Sequence, residues 1–272
     1  MLAMRAAVLI GLMVPTVMSI DPAAAQSVNE SVAVGPDLPP QGRSLFDRIA
    51  YVKDARGAAT LQLAFPFNAL VAQLRERLRL DARPDAEPDV EPGALQAVLI
   101  PFGRSLQRNA AAPDFLHSPR VVLAVLGESL QPTAPLAKDR LYLGYQDRAG
   151  VIEVISYNDA LGRFEFQIVK DYRAQRQPRL FYAKRAICMA CHQNQAPIFS
   201  RPLWSETHAN PQIAARLHAE RMDFHGVDLT RGIDVPAAID AATDRANAFA
   251  LEQRLWREGC ASLARMENQD AE

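Results

Sequence analysis

Between Leu95 and Tyr172 the chain is a succession of short apolar segments rich in Val, Ile, Leu, Phe and Tyr, and this constrains its fold more than any other stretch. The segments are Leu95 to Ile100, Arg120 to Leu126, Arg140 to Tyr145, Val151 to Tyr157 and Arg163 to Tyr172. Residues of this kind fit a pleated, half-buried surface. Turn-formers separate the last three, first Asp147-Arg148-Ala149-Gly150 and then Asn158 to Gly162. Turns this short join antiparallel neighbours, because a parallel return needs a long crossover. Arg163-Phe164-Glu165-Phe166-Gln167-Ile168 alternates polar and apolar, which predicts one wet and one buried face. Val151 to Ile155 is nearly continuous in apolar residues and suits a more central strand. A small antiparallel meander is expected here.

The flanks read as helical. Ser44 to Lys53 places Leu45, Ile49 and Val52 on one side, and Asn68 to Leu80 repeats Leu70, Val71, Leu74 and Leu78 at helical spacing. Between the second of these and the first strand, Asp81 to Gly93 is rich in prolines and acids and reads as an exposed loop. Beyond Tyr182, Asn210-Pro211 looks like an N-cap followed by proline at the first helical position, opening a helix that runs to Phe224. Pro236 opens a longer helix in which Ile239, Ala242, Ala246, Phe249, Trp256, Cys260 and Leu263 keep the helical period. Cys260 is expected to pack on that apolar face as a small buried hydrophobe. The fold class expected is α+β, with a mixed region over residues 26–180 carrying the meander and a helical region over residues 181–272 packed against it.

The first residues read as an address. Arg5, an apolar run from Ala6 to Met18 and then Ala23-Ala24-Ala25 fit a secretory signal peptide cleaved after Ala25, leaving a chain that starts at Gln26. The apolar run is short of the roughly 20 residues a spanning helix needs. No later stretch is long and apolar enough to span a bilayer. Lys+Arg of 30 against Asp+Glu of 31 gives a net charge of −1, so no global field draws the protein to nucleic acid or an anionic membrane. Three cysteines are too few for a disulfide scaffold. Two of them stand in Cys188-Met189-Ala190-Cys191-His192, and this is where chemistry concentrates.

Covalent haem attachment needs two thiols placed to meet two vinyl groups along one edge of a porphyrin, and an adjacent imidazole to bind iron. A two-residue gap on a helical turn puts both sulfurs on one side with the histidine beneath the macrocycle. Rival chemistries use fewer of these residues. A disulfide or thioredoxin-like dithiol needs only Cys188 and Cys191 and leaves His192 incidental. A zinc site needs a fourth ligand, for instance His208. No Ser-His-Asp signature, phosphate loop or second CxxCH is found in the sequence.

On Cys188 to His192, together with the export signal, the chain resembles the c-type cytochromes. The resemblance implies one haem c and its iron in a periplasmic or otherwise exported protein. It implies thioethers at Cys188 and Cys191 and His192 as the proximal ligand. Small one-haem cytochromes are much shorter and carry the motif near the N-terminus, whereas most of this chain precedes it. The sixth iron position has several candidates: Met222, Met266, His208, His218 and His225. Met222 is the one whose helix follows the motif at a separation that allows a chain reversal; His225, at the helix end, is expected to be solvated. An open sixth position is the alternative. Lys184, Arg185 and Arg201 are candidate partners of the haem propionates, and Pro197, Ile198, Phe199, Leu203 and Trp204 candidate lining of the haem edge.

Three functions follow as expectations. The first is electron transfer with a redox partner protein. The second is an enzyme or sensor with an open iron site that meets peroxide or a small ligand. The third is a dithiol redox protein without haem.

Overall fold

A computed structural model describes residues 39, 41–80, 94–102, 108–128, 134–194, 196–199 and 206–260. The expected signal peptide and the acidic, proline-rich stretch 81–93 lie outside the described residues.

Six strands form one antiparallel sheet in sequence order: β3 Leu95–Ile100, β4 Arg120–Val125, β5 Leu141–Gln146, β6 Val151–Asn158, β7 Arg163–Lys170 and β8 Arg179–Tyr182. A two-stranded hairpin, β1 Tyr51–Lys53 and β2 Ala59–Leu61, precedes it. The mixed α+β class with an antiparallel sheet is therefore correct, and the sheet is larger than the meander expected. Each of the five apolar segments is a strand. The sixth, β8, extends the sheet beyond β7 through the pair Ile168 and Phe181. The tight connections behave as read. Gly150 and Gly162 hold the β5–β6 and β6–β7 turns at φ of 60° and 58°, in the left-handed region that favours glycine.

Register assigns every strand residue to one of two faces, because directly paired residues point the same way and neighbours along a strand point oppositely. The first face carries Leu95, Leu99, Val121, Leu123, Leu141, Leu143, Ile152, Val154 and Val169, all buried in one core. Helix α1, Leu45–Ala50, covers it. Ser44 caps this helix by accepting a hydrogen bond from the Asp47 amide, and the Phe46 amide donates to Ser156 Oγ at 2.8 Å, fixing the helix to β6. Helix α2, Phe67–Arg77, adds Phe67, Leu70 and Leu74 to the same core at a 3–4 residue spacing. Between these helices the predicted continuation of α1 to Lys53 is instead β1, since Tyr51 leaves the helix in an extended conformation.

The chain after the motif returns to both faces. Helix α4, Pro211–Glu220, begins at the Asn210 cap as expected and places Ile213 and Leu217 in the first core. It ends earlier than Phe224, because Arg221 turns left-handed at φ 54°. Helix α5, Asp234–Leu255, lies on the second face, where Val235, Ile239, Ala242 and Ala246 pack on Val98, Ile100, Ala124, Tyr142, Tyr157 and Phe164. Past Ala250 the helix outruns the surface it packs on: Leu255 and Trp256 are 62% and 67% exposed. Cys260 is exposed as well, which corrects the buried position expected from its helical period. Among the described residues no helix is long and apolar enough to cross a membrane.

Candidate cofactor site

Strand β8 delivers the chain to the motif. The Ala183 amide donates to the Phe166 carbonyl at 2.8 Å, continuing the β7–β8 pairing, and the chain then enters the short helix α3, Arg185–Met189. Arg185 pins α3 to the sheet by donating to the Phe164 carbonyl and to the Glu165 carboxylate, both at 3.0 Å. Glu165 is only 2% exposed and is also paired with Arg163 at 2.8 Å, so two guanidiniums compensate one buried carboxylate.

The helical turn runs on through the motif. The amides of Cys191 and His192 both donate to the Cys188 carbonyl, at 3.2 and 2.9 Å. Cys188, Cys191 and His192 are thus held on one turn. Neither cysteine is in a disulfide; Cys188 is half-buried and Cys191 exposed.

His192 is half-buried with its ring centroid 5.2 Å from that of Phe166, on the second face of the sheet. Its Nδ1 lies 2.8 Å from the Ala196 carbonyl oxygen. A carbonyl only accepts, so the proton is on Nδ1 and the lone pair on Nε2. Metal-binding histidines are fixed in this way, one ring nitrogen donating to a backbone carbonyl while the other is left for the metal. Burial lowers the His192 pKa, favouring the neutral ring a ligand must be. The residues present therefore fit a haem held by two thioethers and one imidazole: two unpaired thiols on one turn and a histidine of the required tautomer.

Cys188 is poorly suited to attack a disulfide. Burial pushes Cys188 up to about 11, with the Glu153 carboxylate acting in the same direction, so it is a neutral thiol near pH 7. An attacking cysteine needs the opposite shift.

The segment after the motif is built into the core. Ala196 and Phe199 join the second cluster, Pro197 is buried, and Asn247 of α5 donates to the Pro197 carbonyl at 2.6 Å. Ile198 is 51% exposed. Of the anticipated propionate partners, Lys184 is exposed at the start of α3 and Arg185 serves the Glu165 anchor. Arg201, Leu203 and Trp204 lie outside the described residues.

Sixth-ligand candidates are distributed elsewhere. Met222 is 44% exposed just after α4, whose apolar side packs into the first-face core, whereas His192 rests on the second face. His225 is half-buried on that first face, not solvated as expected, with its ring against Phe67 and Tyr145 at 5.8 and 5.2 Å. His208 is 1% exposed at the outer edge of β3, accepting the Leu99 amide on Nδ1 at 3.1 Å and donating its own amide to the Leu99 carbonyl. Four strand spacings separate β3 from β7, about 19 Å at about 4.8 Å each. That distance also removes His208 as a fourth zinc ligand beside the cysteines. His218 is exposed on α4, and Met266 lies outside the described residues. The structure brings Cys188, Cys191 and His192 together and does not bring Met222 to them.

Near the motif, the second face carries residues that no local pattern announces: Arg120 and Glu153 are paired at 2.8 Å, and Phe166, under His192, shares their face. The one available signal was Glu153, a carboxylate set inside the apolar run Val151 to Ile155. No family model, curated protein or solved structure matches the chain.

Proposed function

We propose that this chain is an exported haem protein that carries one haem c on Cys188, Cys191 and His192 and exchanges single electrons with a redox partner. The observation that carries the reading is a contact: His192 Nδ1 lies 2.8 Å from the Ala196 carbonyl oxygen, an acceptor that calls for the proton on Nδ1 and leaves Nε2 to ligate, one residue after a pair of unpaired thiols. Export rests on the pattern from Met1 to Ala25, which matters because haem c is attached after export. When bound, the haem supplies a one-electron iron couple. Cys188 and Cys191 would tether it covalently. His192 would ligate the iron, with its ring orientation set by Ala196 and Phe166. Arg185 and Glu165 keep the turn that bears all three residues fixed against β7.

A second reading shares this attachment and differs at the far side of the iron, where an open position suits peroxide or small-ligand chemistry. It is favoured by the placement of Met222, His208, His218 and His225, none of which the fold directs toward the motif. Production in a host able to attach haem c separates the readings. A haem stain that survives denaturing electrophoresis is expected for the wild type, and its absence would refute both. Reduced spectra with and without carbon monoxide then divide them: unchanged spectra support electron transfer, and a shifted spectrum supports an open site.

A further inference from the structure

The second face of the sheet carries an ion pair that α5 does not cover. Arg120 opens β4 and pairs with Glu153 of β6 at 2.8 Å, both side chains about a quarter exposed. Gly144 of β5 stands between them, since register pairs it with Val122 on one side and with Glu153 on the other. The guanidinium crosses directly above Gly144, where a Cβ would overlap it. Glycine inside a strand weakens the strand and marks a close approach. A partly exposed ion pair contributes little to stability. A glycine placed mid-strand to seat this pair is a poor device for stability.

Its location suggests another use. Glu153 pairs across the strands with Ile168, and Phe166 is the diagonal neighbour two residues away on the same face. His192 rests on Phe166. We infer that Arg120 and Glu153 are fixed, opposite charges beside the Cys188–His192 turn that tune the bound iron with opposite signs, an assignment that rests on the haem reading above. A carboxylate near the iron favours the more positive ferric state, and a guanidinium favours the ferrous state. Seating over Gly144 holds the guanidinium at a set position, which a surface arginine would not keep.

Redox titration of the full haem-loaded protein, followed by its absorption spectrum, tests this. Glu153→Gln is expected to raise the midpoint potential and Arg120→Gln to lower it. Each should change the ferric-to-ferrous ratio at a fixed applied potential by about three- to tenfold. The double variant should return toward the wild type, and Arg120→Lys, which keeps the charge, should stay closer to it than Arg120→Gln. Potentials that do not move, or that move the same way in both single variants, would overturn the inference while leaving haem attachment intact. Wild-type protein from a competent host that carries no covalent haem would overturn both. Should Arg120→Gln not accumulate, the Glu153→Gln and Arg120→Lys pair decides the matter by the same signs.

Discussion

The two faces of the six-stranded sheet are covered by different means. On the first face, helices from both sides of the sheet in sequence, α1, α2 and α4, converge on one apolar core that contains Phe46, Leu70, Leu74 and Leu217 at 0% exposure. Several of its polar groups are paired inward. Asp47, only 6% exposed, accepts from Tyr182 and from Gln167, the latter at 2.9 Å, and Ser44 donates to Gln167 at 2.7 Å. On the second face, α5 buries the β3 end and part of β6 and β7. The rest bears Glu153, Arg120, Ile168 and the Cys188–His192 turn, all at least partly open. One face is built for stability, and the other leaves strand positions free to carry charge and a cysteine turn.

Substitutions on the two faces should differ in cost. The largest loss is expected on the closed face. Phe46→Ala removes a fully buried ring and should cost about 3–5 kcal/mol in chemical denaturation. Asp47→Ala leaves the Tyr182 hydroxyl and the Gln167 amide without their acceptor and should cost about 2–4 kcal/mol by the same measurement. On the open face, Gly144→Ala displaces the Arg120 guanidinium and should cost about 1–2 kcal/mol. If Gly144→Ala proved as damaging as Phe46→Ala, the second face would be a stability element and the contrast would fail.

How much of this could be read from the sequence follows the same division. The first face was legible because its residues repeat at fixed local periods: Leu70 and Leu74 in α2, and alternate residues along each strand. Where two local signals overlapped, the reading slipped. Ile49 and Val52 suggested one helix to Lys53, yet Tyr51 pairs with Leu61 in β1–β2. Strand β8 has only four residues after Gln177-Pro178 and acquires its meaning from pairing with β7. Cys260 kept its helical period but lies beyond the part of α5 that meets the sheet. At the site, Cys188, Cys191 and His192 are contiguous and so visible. Arg120, Gly144 and Glu153 are brought together by register across three strands, which no local pattern encodes.

Acidity offers the mildest test. Burial lowers the pKa of His208 and of His225 in the folded protein below the ordinary value of about 6.5. The unfolded chain therefore binds more protons as pH falls past about 6.5, so this contribution to stability is complete above that value and is lost below it, toward the folded pKa values. The denaturation midpoint should fall between pH 7.5 and 5.5, and His208→Gln should flatten the decline. A midpoint constant over that range would contradict the buried neutral state of both rings.

The proposed haem attachment requires that Cys188 and Cys191 carry a group that neither reduction nor unfolding removes. Alkylated cysteines can be counted by intact mass after reduction and denaturation of protein from a haem-c-competent host. One modified thiol, Cys260, is expected on a chain heavier by one haem. Three modified thiols on a chain of unaltered mass would contradict it.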